Sequence, residues 1–277
     1  MNEKICAGIV LFNPDIDRLK ENITSIVEQV QAIYLQDNGS SNISQIEEYL
    51  AKEKKVVLSR NSTNKGIAWA LNRICERGLQ DGFEWIITLD QDSVCPENMV
   101  SGFESYLKNA DMLCPKIVDR NYGLLDGSER KTEIIKECIT SGCLLYLKSW
   151  VSINGFDEVM FIDGVDFEFC YRMNKAGMKI LRVNGVVLYH EIGSISIRKF
   201  LGLKVIVKNH SAFRKYYIAK NIIYMARKRK NFPLLIKGIF QEVKLGGIVL
   251  LYEDDKKAKL GSVIKGIYDG ITIQISR

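Results

Sequence analysis

The chain has 277 residues, 47% hydrophobic and 26% charged, so it can bury one sizeable core with a smaller appendage; disorder, collagen-like and repeat architectures are excluded. Seven cysteines without a CxxC pair argue against a disulfide scaffold and fit a reduced, cytoplasmic setting. The net charge of +6 is uneven: much of the excess follows Arg198 and culminates in Arg227-Lys228-Arg229-Lys230, which favours an anionic membrane surface or lipid phosphate over nucleic acid as the tail's partner.

Ile5 to Leu11 is β-branched and apolar and predicts a first strand, and Asn13-Pro14-Asp15 cuts that run too soon for the hydrophobic region of a signal peptide. Ile16, Leu19, Ile23, Ile26, Val27 and Val30 then recur at helical spacing. The unit repeats: a strand over Ala32 to Leu35, the turn sequence Asp37-Asn38-Gly39-Ser40 and a helix around Ile43 to Ala51. Val56 to Leu58 predicts a third strand, followed by Asn61 to Gly66 and a helix from Ile67 to Gly78. Trp85 to Leu89 predicts a fourth, ending at Asp90.

Alternation of this kind gives an α/β fold with a Rossmann-like, mostly parallel central sheet flanked by helices, its strand-to-helix loops along one edge, where such sheets bind ligands. Further on, strands are expected over Met112 to Cys114, Ile139 to Leu147, Lys179 to Val183 and Val186 to Tyr189, with a helix from Val165 to Ala176 capped by Gly177. From Ile197 the pattern reads as helical, which divides the chain into a sheet domain over 1–196, carrying the polar strand-end loops, and a basic, amphipathic helical extension over 197–277. No stretch of about 20 apolar residues is present, so an amphipathic hairpin lying on the sheet domain or on a membrane surface is expected rather than a span. Those helices could also join two copies as a homodimer.

Asp90 and Asp92 close a strand and leave the sheet edge one residue apart, as hard oxygen ligands suited to Mg2+ or Mn2+ bound together with phosphates. Around them stand Ile9-Val10-Leu11-Phe12-Asn13-Pro14, Asp37-Asn38-Gly39-Ser40, the N-x-G-x-A-x-A-x-N run from Asn64 to Asn72, and Asp90-Gln91-Asp92-Ser93. These four loops, in this order, resemble those of the inverting family 2 glycosyltransferases, specifically a bacterial rhamnosyltransferase-like branch, over about residues 4 to 221.

The resemblance implies the GT-A fold and a dTDP- or UDP-linked sugar donor. Asp37 would accept the imide N–H of uracil or thymine, with an Asx-turn acceptor as its structural alternative. Asn13, Asn64, Gly66, Asp90 and Gln91 would complete the donor site; Gly66 lets the backbone approach a ligand or simply makes a turn. Asp92 would ligate the metal, and Asp90 would steady the ribose or a metal-bound water.

Further resemblance lies in Thr140-Ser141-Gly142 and Gly155-Phe156-Asp157-Glu158, and in the segment from Phe161 to Arg172, where the family places its base at a helix start. By register that base is Asp166, with Asp163 as the alternative and an amino-terminal capping role open to either. Ser141, Gly142 and Asp163 fall on the acceptor side. His190-Glu191-Ile192-Gly193 is similar to the family's H-x-x-G motif, which assigns His190 to the metal or diphosphate. Arg214, Tyr216, Tyr217, Lys220 and Asn221 resemble an R-x-Y-Y-x-x-R-N segment and suggest phosphate contacts through Arg214 and Lys220, although Lys220 in place of Arg loses bidentate geometry.

The implied reaction is transfer of rhamnose from dTDP-rhamnose to a polysaccharide or lipid-linked glycan with inversion at C1, at the inner face of a membrane. A UDP-sugar donor carrying galactofuranose, galactose, glucose or an N-acetylhexosamine is the same-fold alternative. A nucleotidyltransferase or a non-catalytic sugar-nucleotide binding module is the alternative of another class. The first of these lacks support because Phe12-Asn13-Pro14 stands where a glycine-rich basic loop would be needed.

Overall fold

The computed structural model describes residues 4–119, 123–124, 129–190, 196–200 and 203–275. Strand β1 (Ile5–Leu11) is buried along nearly its whole length, as expected of an apolar run covered on both faces. Helix α1 (Ile16–Ile26) begins where the Asp15 carboxylate accepts the backbone N–H groups of Asp17 and Arg18, and it buries Leu19, Asn22, Ile23 and Ile26. There follow β2 (Ile33–Asp37), α2 (Ile43–Leu50), β3 (Val56–Arg60), α3 (Ile67–Gln80) and β4 (Trp85–Asp90). Next come α4 (Met99–Glu104), β5 (Met112–Asp119), β6 (Gly123–Leu124), β7 (Thr132–Ile135), β8 (Cys143–Tyr146), α5 (Leu147–Ser152), α6 (Val165–Lys175) and β9 (Ile180–His190).

The sheet order is β3-β2-β1-β4-β8-β5-β9-β7, with β6 paired to β5. The first four strands are parallel, β8 inserts antiparallel between β4 and β5, and β5 and β9 again pair in parallel. Strand order reverses at β1, with β2 on one side and β4 on the other, so the crevice expected at such a switch point opens where β1 and β4 end. Pairing of Val10 with Asp90 and of Leu11 with Asp37 brings the three strand ends level.

Three expectations needed correction. The strand expected over residues 139–147 is confined to Cys143–Tyr146, because Gly142 at φ +80° turns the chain just before it. The two strands expected at 179–183 and 186–189 are one continuous strand, β9. Its pairing jumps from Pro115↔Val183 to Lys116↔Val187, and Pro115 has no N–H to donate to a ladder. Past Ile197 the chain first forms an antiparallel hairpin, β10 (Ser196–Phe200) with β11 (Leu203–Val207), before any helix; Ile197, Val205, Ile206 and Val207 are β-branched residues that favour a strand.

The chain divides into two compact units, Met1–Glu158 with Asp166–Glu191, and Val159–Val165 with Ile192–Arg277. The second is built on α7 (Ala212–Lys228), α8 (Phe232–Tyr252) and α9 (Lys256–Thr272). Helices α7 and α9 meet at backbone distance: a Cβ on Gly266 would stand 2.4 Å from the Tyr216 carbonyl oxygen, and one on Gly270 2.6 Å from that of Lys220. Between α8 and α9 the buried Glu253 carboxylate accepts Lys215 Nζ at 2.8 Å and Lys259 Nζ at 3.1 Å. Both ammonium groups are themselves almost fully buried, so the ion triad is satisfied internally. Among the described residues no helix is long and apolar enough to cross a membrane.

Candidate functional site

The loops that leave β1, β2 and β4 are tied to one another by side chains. Gln91 clasps the Phe12 backbone, its Oε1 accepting the Phe12 N–H at 2.9 Å and its Nε2 donating to the Phe12 carbonyl at 3.4 Å. Asn13, at φ 47°, donates its backbone N–H to Ser40 Oγ at 2.8 Å, and its Oδ1 accepts Ser41 N at 2.7 Å. The Asp37 carboxylate is 1% exposed and forms an Asx turn, accepting Gly39 N at 3.0 Å and Ser40 N at 3.1 Å on Oδ2. Asn64 does the same one loop later, its Oδ1 accepting the Gly66 N–H at 2.9 Å where Gly66, at φ 90°, starts α3.

Three buried asparagines that sequence reasoning left unassigned hold this edge together. Asn22, on α1, donates to the carbonyls of Asp90 at 2.8 Å and Ser93 at 2.6 Å, so helix α1 carries the DxD turn. Asn38 donates to the Gly66 carbonyl at 3.1 Å and accepts Asn61 Nδ2 at 2.9 Å. Asn72 closes the family-like signature, and its partners lie in the segment from residue 150 to 158. Its Nδ2 donates to Phe156 O and Glu158 Oε1, while its Oδ1 accepts Phe156 N and Trp150 Nε1. The only signal for these roles was a polar residue at an apolar position of a helix or strand end.

Asp90 is half-buried at the end of β4, and burial, followed by the neighbouring Asp92 charge, pushes its carboxyl up to about 6. Asp92 is exposed. Among the described residues no group of three or more His, Cys, Asp or Glu converges on a metal position. Asp90 and Asp92 place two hard carboxylates at this turn, and the charge of one disfavours ionisation of the other; a dication such as Mg2+ or Mn2+ would relieve that repulsion, so the chemistry of the turn fits one. His190 closes β9; its side chain, with Glu191, Ile192 and Gly193 of the same motif, lies outside the described residues.

The Thr140-Ser141-Gly142 turn connects this corner to α6. The Asp90 N–H donates to Ser141 Oγ at 3.0 Å, and Ser141 Oγ lies 2.8 Å from Ser93 Oγ. One residue earlier, Thr140 Oγ1 donates to Asp166 Oδ1 at 2.7 Å. Gly142 places its N–H on the Thr88 carbonyl at 2.7 Å; a Cβ there would come within 2.8 Å of Leu188 Cδ2 and 2.9 Å of Pro115 Cγ. Asp166 thus sits in the first turn of α6 with one oxygen engaged by a hydroxyl, and Asp90 and Asp166 are both held from adjacent residues of one turn.

Asp163 belongs to the second unit, where Arg214 Nε reaches its Oδ2 at 3.2 Å and the Arg214 guanidinium also pairs with its Oδ1. Lys220 is buried and donates to the Val159 carbonyl at 2.9 Å, and Asn221 Nδ2 reaches the carbonyls of Ile162 and Asp163. The segment resembling R-x-Y-Y-x-x-R-N therefore grips residues 159–165, and the two cations expected at phosphate are engaged there.

The sequence model described as Glycosyl transferase family 2 matches residues 6–177. The dTDP-rhamnosyl transferase RfbF of Shigella flexneri is 30% identical over 254 residues, covering 85% of this chain and 84% of the relative. Among solved structures, TarS residues 1–349 of S. aureus in complex with UDP-GlcNAc superposes with a TM-score of 0.62 at 14% identity, over 97% of this chain and 80% of that one. GalNAc-T7 with UDP, GalNAc and Mn2+ superposes with a TM-score of 0.63 at 14% identity, over 81% of this chain; this chain spans 48% of that protein's length. At such identities the structures speak for the fold alone, which is GT-A. The matched loops, the switch-point crevice and the family model agree that the chain belongs to glycosyl transferase family 2.

Proposed function

We propose that this chain transfers rhamnose from dTDP-rhamnose to a polysaccharide or lipid-linked glycan, with inversion at C1. The observation that carries the donor assignment is the 30% identity to the S. flexneri dTDP-rhamnosyl transferase over most of both chains. Family membership sets aside the nucleotidyltransferase alternative.

On this reading Asp37 recognises the pyrimidine, while Asn13, Asn64, Gly66 and Gln91 shape the donor site and Asp90 steadies the ribose or a metal-bound water. Asp92 and His190 hold Mg2+ or Mn2+, which when bound neutralises charge on the departing diphosphate. Ser141 and Gly142 line the acceptor side. Asp163 orders the segment beside the base through Arg214, and Lys220 holds the same segment through Val159.

Asp166 acts as the base. An acceptor hydroxyl is a poor nucleophile, so its proton passes to the carboxylate as its oxygen bonds to C1 and the bond from C1 to the diphosphate oxygen breaks. Thr140 orients that carboxylate by donating its hydroxyl to Oδ1. A single base on the face opposite the leaving group gives inversion, and dTDP departs.

The test is a panel of dTDP-rhamnose and UDP-sugars with Mg2+, Mn2+ or chelator, with the product anomer read by NMR. Transfer from a UDP-sugar with none from dTDP-rhamnose would overturn the donor assignment. Asp166→Asn should lower transfer by on the order of 10²- to 10⁴-fold while donor binding is retained; unchanged transfer moves the base to Asp163 or elsewhere.

A further inference from the structure

Surface helices ordinarily turn their apolar stripe inward. Helix α8 does the reverse. Its buried positions are Gly238, Glu242 and Val249, whereas Phe232, Ile236, Phe240, Val243, Leu250 and Leu251 are exposed, Phe240 to 71%, Phe232 to 69% and Val243 to 68%. At 100° per residue those six fall within an arc of about 100°, opposite the buried positions, along a helix about 30 Å long. Lys237 and Lys244, both exposed, border one edge of that arc.

Charge decides what covers such a face. Residues 197–277 hold 18 Lys and Arg against five Asp and Glu, whereas residues 1–196 hold 21 against 28. A second copy of the chain laid against α8 would oppose two rows of lysines in a strongly basic setting. An anionic bilayer offers acyl chains for the stripe and phosphates for the lysines at once. Since no described helix can cross a membrane, the helix would lie in the interfacial plane.

We propose that α8 is a membrane-surface helix that docks on anionic phospholipid, with its Phe232-to-Leu251 face at the acyl boundary and Lys237 and Lys244 among the headgroups. This reading is independent of which sugar is transferred.

The test is co-sedimentation of the full chain with sucrose-loaded vesicles of phosphatidylcholine, with or without about 30% phosphatidylglycerol. Partition onto the anionic vesicles should exceed that onto neutral ones by about tenfold or more, and the double variant Phe240→Ser, Val243→Ser should lose about tenfold or more. Each of Lys237→Gln and Lys244→Gln should lose about fivefold. All three carry exposed substitutions, so circular dichroism and thermal unfolding should match the parent; if the double variant fails this check, the two lysine variants decide. Equal partition onto neutral and anionic vesicles, no partition onto either, or unchanged binding of the variants would overturn the proposal. So would a concentration-dependent dimer, seen by sedimentation velocity and abolished by the double variant, in a chain that ignores vesicles; that result assigns the face to a second copy.

Discussion

Asn72→Leu should destabilise the first unit severely. The wild-type amide makes four hydrogen bonds, to Phe156 O at 2.9 Å, Glu158 Oε1 at 2.8 Å, Phe156 N at 2.7 Å and Trp150 Nε1 at 3.2 Å. Leucine is close in volume but leaves the Phe156 N–H and carbonyl and the Trp150 indole N–H without their partner. At a mid-range of about 2 kcal/mol for each of the three buried groups stranded, about 6 kcal/mol in all, less about 1–2 kcal/mol gained by burying the leucine, the net loss is about 4–5 kcal/mol. For a unit of this size, at about 2–4 °C per kcal/mol, that corresponds to a fall of about 8–20 °C in Tm. Thermal unfolding followed by circular dichroism measures it, with Asn64→Ala as the comparison, since Asn64 loses one bond to a backbone N–H in a partly exposed turn. A shift for Asn72→Leu no larger than that for Asn64→Ala would refute the assignment of Asn72 as the brace of the Gly155-Phe156 turn.

Gly142→Ala should cost about 1–3 kcal/mol of stability and depress transfer, because the residue sits at φ +80° and the new methyl meets Leu188 and Pro115; urea unfolding with parental midpoint and rate would contradict this. In the second unit burial pushes Glu242 up to about 7, with the Lys215 charge opposing. The folded state therefore holds this proton more tightly than the unfolded chain, so its stability should fall by about 3 kcal/mol as pH rises from 5 to 8. Glu242→Gln should flatten that dependence in denaturation curves, and a wild-type curve that climbs over the same window would show the sign to be wrong. Cys138 Sγ lies 3.7 Å from Cys143 Sγ, and these two thiols bracket Thr140 and Ser141 in the chain. Oxidation with diamide should slow transfer reversibly, and Cys138→Ser should resist it; equal sensitivity of the variant would place the reactive thiol elsewhere.

The sequence made the donor-side edge legible because local chemistry sufficed there. Apolar runs lead into the polar loops at Asp37, Asn64 and Asp90, and periodicity places a helix after the first three strands, so the parallel half of the sheet follows from neighbours within a few residues. The rest depends on partners distant in sequence. Nothing near Cys143 signals that β8 runs antiparallel between β4 and β5, since that position comes from pairing Trp85 with Tyr146. Asn22 reads as a helix-surface residue until Asp90, 68 residues away, is brought over it. The hairpin β10–β11 leaves little trace in the sequence, because its short, charge-interrupted strands lie just ahead of a long helical pattern. Asp166 was found by its register against Arg172, yet its partner Thr140 becomes visible only once the turn before β8 is folded against α6.

That turn has a consequence for how the protein can vary. Ser141 holds the backbone of Asp90 and Thr140 holds the side chain of Asp166, so the spacing between the two acids is gauged by a single peptide unit instead of by the summed tolerance of two long loops. Insertions elsewhere can reshape what the crevice admits without changing that gauge. A change at residues 140–142 alters both acids together, and no adjustment in one loop alone can restore the pair.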